Sequence, residues 1–264
     1  MPLTLPSTQA LFIAAVIIGI YCGKFCSLKC PFGAMFCRSN SSPRTLMKIA
    51  DLDREIRSCA KCEEILRKWP VDPCVADIVV GPRPILSQPR VSPVMLIGQA
   101  PGPTEYRSGL PFTGGAGDKI KSIFAQSGLP TMNFDEFVYQ TSVVKCFPGR
   151  KINSTSGRAE DRVPCRVMTN SCSPFLAKQI DLCNPSLIVT LGGFAANGVN
   201  RLAGFEIVKL GKLVGNKVDW NNRTVIYFPH TSGTNRFLNS PVNVELFNRA
   251  KKHLSEWVRE FGNH

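Results

Sequence analysis

Apolar and polar positions follow two periods along this chain, and the two alternate in a regular order. Val94–Ile97 is a run of four apolar residues between Pro93 and Gly98, which predicts a short strand buried on both faces. Phe137–Val144, Ser186–Leu191 and Thr224–Phe228 read as three further core strands. Between and after them the spacing turns helical, over about Asp118–Gln126, Asn170–Cys183, Phe194–Leu202 and Val242–Phe261. Upstream, Leu46, Ile49, Leu52, Ile56 and Ile65 stand at helical spacing and predict one helix over Thr45–Lys68. Trp69–Pro93 holds six prolines and reads as an irregular covering loop. Arg150–Arg166, with five basic residues against Glu160 and Asp161, reads as a solvated loop. Strands alternating with helices imply an α/β fold, a three-layer α/β/α sandwich with a mostly parallel four-stranded central sheet. The turns after Ile97 and after Phe228 then share one sheet edge, as a catalytic cleft requires.

Composition changes this picture at the amino terminus and in the choice of partner. Met1–Gly23 carries no charge, and Ala10–Ile20 is almost wholly apolar. The basic start of a signal peptide is missing, and the apolar core is short of the roughly 20 residues of a membrane span. Residues 1–44 therefore read as an apolar extension and residues 45–264 as the main domain. The expected location is cytoplasmic, with a membrane tether through residues 10–23 left open. Cys22, Cys26, Cys30 and Cys37 lie in the extension, separated by three, three and six residues, and are assigned no metal. The chain has a net charge of +13, spread along its length, which points to a polyanion such as nucleic acid or an acidic membrane surface. Eleven cysteines without a signal peptide favour metal ligation in a reducing compartment over a disulfide framework.

Candidate chemistry gathers between Val94 and Gly117. Gly98, Gln99, Ala100, Pro101 and Gly102 turn the chain sharply off the first strand, at the strand end where open α/β sheets bind ligands. Glu105 is the only acid in the stretch, and Phe112 follows a proline that holds its ring still. Gly114, Gly115 and Gly117 lead into a helix, whose first N–H groups suit an anion such as a phosphate. Cys59-Ala-Lys-Cys62 is ambiguous among zinc, redox and cluster chemistry. His230, one of three histidines, follows the fourth strand between Pro229 and a Thr-Ser-Gly turn.

These stretches resemble a known family. GQAPGPTEYRSGLPFTGGAG is similar to the first motif of the uracil-DNA glycosylase superfamily in its iron–sulfur, family 4-like branch, which carries GEAPGxxE…GxPFxGxAG. SCAKC, VVKCFPG and SCSPFL resemble that branch's cluster-ligand segments, and HTSGTNRFLN resembles the HPSGxSRxLN form of its closing motif. The likeness runs from about Cys59 to Trp257. It implies excision of uracil from single- or double-stranded DNA, the first step of base excision repair, by a monomer with no small-molecule substrate. It also implies a [4Fe–4S] cluster on Cys59, Cys62, Cys146 and Cys172; zinc accepts four thiolates as well, so the resemblance decides for iron. Twenty-five residues separate Cys146 from Cys172, more than the family usually shows, and Cys165 lies between them.

The implied catalytic residues are His230, which stabilises charge on the uracil O2, and Glu105 with Gln99, which position water. Gly98, Ala100, Pro101, Gly102, Phe112, Ser142, Ser232 and Arg236 are the implied substrate contacts, with Arg236 and Phe237 placed to enter the space the base leaves. Gln99, Ser142 and Thr231 stand where the family usually has Glu, Asn and Pro. A looser histidine loop and a less strict base pocket are the corresponding expectations. Two alternatives stand beside this reading: a DNA-binding member with weak turnover, and a membrane-tethered iron–sulfur electron carrier.

Overall fold

A computed structural model of the chain describes residues 42–72, 75–129, 134–232 and 236–262. Residues 1–41, which hold the four cysteines of the apolar extension, lie outside the described residues, as does Cys74. Among the described residues no helix is long and apolar enough to cross a membrane. The elements run, in order, α1 (Pro43–Arg57), α2 (Glu63–Leu66), β1 (Pro70–Asp72), β2 (Val75–Val79), β3 (Val94–Gly98), α3 (Pro103–Ser108), α4 (Gly115–Gln126), α5 (Phe134–Phe137), β4 (Val138–Ser142), β5 (Arg150–Ile152), β6 (Ala159–Asp161), α6 (Arg166–Cys183), β7 (Leu187–Leu191), α7 (Gly192–Ala203), α8 (Leu210–Leu213), β8 (Lys217–Trp220), β9 (Arg223–Phe228) and α9 (Pro241–Gly262).

The central sheet has the order β4-β3-β7-β9-β8, with the first four strands parallel and β8 antiparallel to β9. Alternate residues of each core strand face opposite ways, and both faces are covered, as a parallel sheet demands. Met95, Ile97, Ile188, Val225 and Tyr227 pack with α1, α6 and α7. Val94, Leu96, Val189, Ile226 and Phe228 pack with α4 and α9. From β3 the chain moves to β4 on one side, then crosses back to β7 on the other. The crevice at the carboxyl ends of β3 and β7 is thus a topological switch point, where such sheets bind ligands.

Four local expectations change. The sheet has five strands, because Lys217–Trp220 forms an edge strand turned back by Asn221 and Asn222, both at positive φ (50° and 61°); Asn tolerates the left-handed region that such a two-residue hairpin needs. The helix expected over Thr45–Lys68 is two helices. Ser58 ends α1 and donates its hydroxyl to Glu55 O, a local bond that competes with helix continuation, so the Cys59–Cys62 pair sits in the break. Both expected loops contain hairpins, β1–β2 and β5–β6. Helix α6 starts at Arg166 with Cys165 at its N-cap, not near Asn170. Cys172 is therefore deep in the helix, and Pro174 lies inside it rather than marking its start.

Candidate active site and cysteine cavity

The carboxyl end of β3 is the floor of the site. Gly98 pairs in register with Ser142 of β4, and Gly98 O and Gln99 O accept from Val143 N and Val144 N at 2.9 and 3.0 Å. Those bonds lock the Gly98–Gly102 turn to the end of the neighbouring strand. The Phe112 ring lies against Gly98, where a Cβ would stand 3.0 Å from Phe112 Cζ. Phe112 itself is held at φ 52°, a strained conformation for an aromatic residue that surrounding structure must over-determine. Gly117 supplies that constraint: a Cβ there would fall 1.9 Å from Phe112 O, so only glycine lets the helix approach so closely.

Glu105 has a task the sequence did not reveal. Its two carboxylate oxygens accept from Gly102 N at 3.0 Å and from Gly114 N at 2.9 Å. The residue expected to position water thus ties the turn after β3 to the start of α4. Pro101 is buried, and Gln99, Ala100 and Gly102 are half-buried along this turn.

The histidine loop follows β9, two strands from β3. Ser232 N–H donates to His230 Nδ1 at 3.2 Å, so in the neutral ring the proton sits on Nε2. His230 stands exposed at the mouth, yet its walls desolvate the imidazole and hold its pKa below the usual histidine range, against the pull of Glu105. A groove of about 430 Å³ runs outward from it between α4 and α9. Thr231, where a looser loop was expected, is 8% exposed and donates its hydroxyl to Ala116 O at 2.6 Å. The bond pins the histidine loop to the first turn of α4. Arg236 lies beyond, exposed at the start of a short 3-10 turn, Arg236–Asn239.

Ser142 is nearly buried, and its hydroxyl donates to Val144 O at 2.7 Å. Its proton is therefore committed within its own strand end, leaving only acceptor capacity for a ligand.

Beyond the end of β4, Cys59, Cys62, Cys146 and Cys172 line one apolar cavity with Ile56 and Phe175. All four thiols are free. Burial pushes Cys62 and Cys172 above the usual thiol range and Cys146 up to about 12. Backbone hydrogen bonds from Arg83 to Cys146 and from Lys145 to Cys172 oppose that rise. Among the described residues no group of three or more His, Cys, Asp or Glu side chains is arranged to hold a single ion; the four thiols surround a space instead. A set of four thiols with backbone N–H groups on two sulfurs fits an iron–sulfur cluster. Cys165, partly buried beside the same core, does not line the cavity.

Lys145 is fully buried between the two sites, a residue sequence reasoning passed over although it directly precedes Cys146. It lines the cysteine cavity, and its Nζ donates to Thr141 Oγ1 at 2.9 Å and to Ser142 O. Thr141 donates in turn to Gln179 Oε1 at 3.0 Å, and Gln179 Nε2 donates to Tyr139 OH at 2.9 Å. Burial lowers the Lys145 ammonium to about 8 and raises the nearby Asp53 carboxyl to about 6. A polar chain thus connects the cavity wall to the strand end beneath the active site.

The profile of the Uracil DNA glycosylase superfamily matches residues 85–260, a span holding both site loops and two of the four cavity cysteines. The chain belongs to this superfamily. It is 30% identical over 165 residues to a type-4 uracil-DNA glycosylase of Archaeoglobus fulgidus, covering 62% of this chain and 70% of that one. It is 28% identical over 169 residues to a type-4 uracil-DNA glycosylase of Pyrobaculum aerophilum, covering 64% and 73%. A Thermotoga maritima enzyme of the same description is 28% identical over 175 residues, covering 66% and 75%. As a superfamily member the chain keeps the α/β sandwich and puts its candidate residues at the switch-point edge of the sheet.

Proposed function

We propose that this protein is a uracil-DNA glycosylase that hydrolyses the bond between uracil and deoxyribose in DNA, leaving an abasic site for base excision repair. The observation that carries the reading is the pairing of the Phe112 face on Gly98 with His230 in its Nε2–H tautomer, on one sheet edge of a superfamily member. A base inside a duplex is out of reach, so the nucleotide leaves the stack at a cost of a few kcal/mol. The basic surface binds the phosphates, and Arg236 and Phe237 follow into the gap. The uracil ring stacks on Phe112, and the remaining lone pairs of Ser142 Oγ accept from its N3–H.

As the N-glycosidic bond breaks, its electron pair moves to uracil N1 and negative charge develops on O2. His230 Nε2–H donates to that oxygen, a bond stronger in the transition state than in the substrate. Gln99 orients a water whose oxygen adds to the sugar C1′ and whose proton is lost to solvent. Glu105 and Thr231 hold the three loops at the distances these steps require.

Cys59, Cys62, Cys146 and Cys172 hold a [4Fe–4S] cluster, which ties the α1–α2 break, the end of β4 and helix α6 together. Domain limits near residue 44 and a cytoplasmic site of action complete the reading. The test is release of free uracil, measured by mass spectrometry, from a uracil-containing oligonucleotide incubated with the cluster-loaded chain. Release in proportion to enzyme supports the activity; none from uracil opposite guanine, opposite adenine or in a single strand contradicts it.

A further inference from the structure

The stretch between Cys146 and helix α6 is a built element rather than a slack loop. Its root is fixed: Arg162 N–H donates to Gly149 O at 2.9 Å, and the Arg162 guanidinium lies 5.2 Å over the Trp69 ring and donates to Arg150 O at 3.1 Å. Its strands β5 and β6 pair antiparallel from Arg150↔Asp161 to Ile152↔Ala159. Its tip is closed by Asn153, whose Oδ1 accepts from Thr155 N and Ser156 N at 2.9 Å.

The root stands at the lip of the active site. Asp161 Oδ2 would be 3.4 Å from a Cβ on Gly102, the glycine whose N–H Glu105 clamps. Asp161 is also close enough to Glu105 for the two carboxylates to feel each other's charge. Along this arm the acids are matched: Asp161 pairs with Arg150 at 3.2 Å and Glu160 with Lys151 at 3.2 Å. Arg158 and Arg162 remain as excess positive charge, with Arg158 exposed near the tip. Beside the exposed Lys151 the apolar Ile152 is 48% exposed. The arm is stiff, cationic, partly apolar at its end and anchored at the mouth through which a flipped nucleotide enters.

We infer that the β5–β6 hairpin is a DNA clamp, contacting a phosphate of the strand that flanks the target nucleotide through Arg158, the exposed cation near its tip that neither acid of the arm matches. The inference rests on the glycosylase reading for the choice of polyanion. Contacts to phosphate carry no base information, so the clamp holds DNA with or without uracil.

The test uses the full cluster-loaded chain and fluorescent 25-mer duplexes carrying uracil or thymine at the same position. The Kd is measured at several KCl concentrations for the wild type, Arg158→Ala, Arg158→Glu and Lys151→Ala/Arg158→Ala. Each phosphate contact contributes about 0.9 to the slope of log K against log salt, so Arg158→Ala should lower that slope by about 0.9, equally on both duplexes, and the double variant, which also leaves Glu160 without its lysine, by at least as much. Arg158→Glu should weaken binding more than Arg158→Ala. Slopes unchanged from wild type in all three variants would overturn the clamp, as would weakening confined to the uracil duplex. Uracil release by the wild type is read from the same samples. Release with unchanged slopes sinks the hairpin proposal alone, whereas altered slopes without release sink the glycosylase reading and leave the clamp standing.

Discussion

Glu105→Gln separates a clamp from a catalytic acid. In the structure each carboxylate oxygen accepts one backbone N–H, Gly102 at 3.0 Å and Gly114 at 2.9 Å. Glutamine keeps one acceptor oxygen but turns an NH₂ group toward the other N–H, so two donors face each other. At least one hydrogen bond to a charged acceptor is lost, worth about 1.5–3 kcal/mol. For a domain of this size each kcal/mol shifts the melting temperature by about 2–4 °C. The expected fall is thus about 3–12 °C, read by circular dichroism on cluster-loaded protein. Single-turnover cleavage, measured well below the melting temperature, should fall because Phe112 and the turn after β3 loosen together. An unchanged melting temperature with cleavage down by about 10²-fold, the scale of a lost transition-state contact, would refute the clamp and place Glu105 in the chemistry.

His230→Ala should slow cleavage by roughly 10²-fold while changing DNA affinity little. Because its surroundings hold the His230 pKa down, the wild-type rate should stay level through neutral pH. It should fall only in acid below the usual histidine value of 6.5, where protonation of Nδ1 breaks the Ser232 bond. Thr231→Val removes the donor to Ala116 O but keeps the shape, and should cut the cleavage rate, with Thr231→Ser restoring it; equal rates in the two variants would show that the bond does not place the histidine. For the cysteine cavity, about four irons and four sulfides per chain are expected by metal and sulfide analysis, as four thiolates hold in a [4Fe–4S] cluster. Cys172→Ala should abolish the cluster and Cys165→Ala should spare it; stoichiometric zinc in protein purified without oxygen would contradict the assignment.

The four parallel strands were legible because both faces are buried, so Val94–Ile97 and Val225–Phe228 read as unbroken apolar runs. The edge strand β8 was not, since Lys217, Val218, Asp219 and Trp220 alternate over only four residues. Its signal is the following Asn-Asn turn. The helix break at Ser58 had a signal that was passed over: Ile65 stands nine residues after Ile56, about two and a half turns on, so the apolar face does not continue across Ser58. In the candidate site, the positions of the strand ends and of His230 directly after β9 were legible from sequence pattern and family likeness. The ties between loops were not: Glu105 meets two backbone N–H groups, and Thr231 meets a carbonyl 115 positions away. The bond from Gly102 N–H to Glu105 has the three-residue spacing of a capping box, but the bonds to Gly114 and to Ala116 join positions whose separation carries no such pattern. The same reason hid the bond by which Ser142 commits its hydroxyl proton to Val144 O and keeps only acceptor capacity for a ligand.

The central claim is tested most directly by strand nicking. A labelled oligonucleotide with a single uracil is incubated with cluster-loaded protein and then heated in alkali, which cleaves only at abasic sites. Uracil opposite guanine, opposite adenine and in a single strand are compared with thymine and cytosine controls, for the wild type and for His230→Ala. Cleavage at the uracil alone by the wild type, strongly reduced in the variant, is the predicted result. Intact strands from wild-type protein that carries its cluster and binds the DNA would contradict the account.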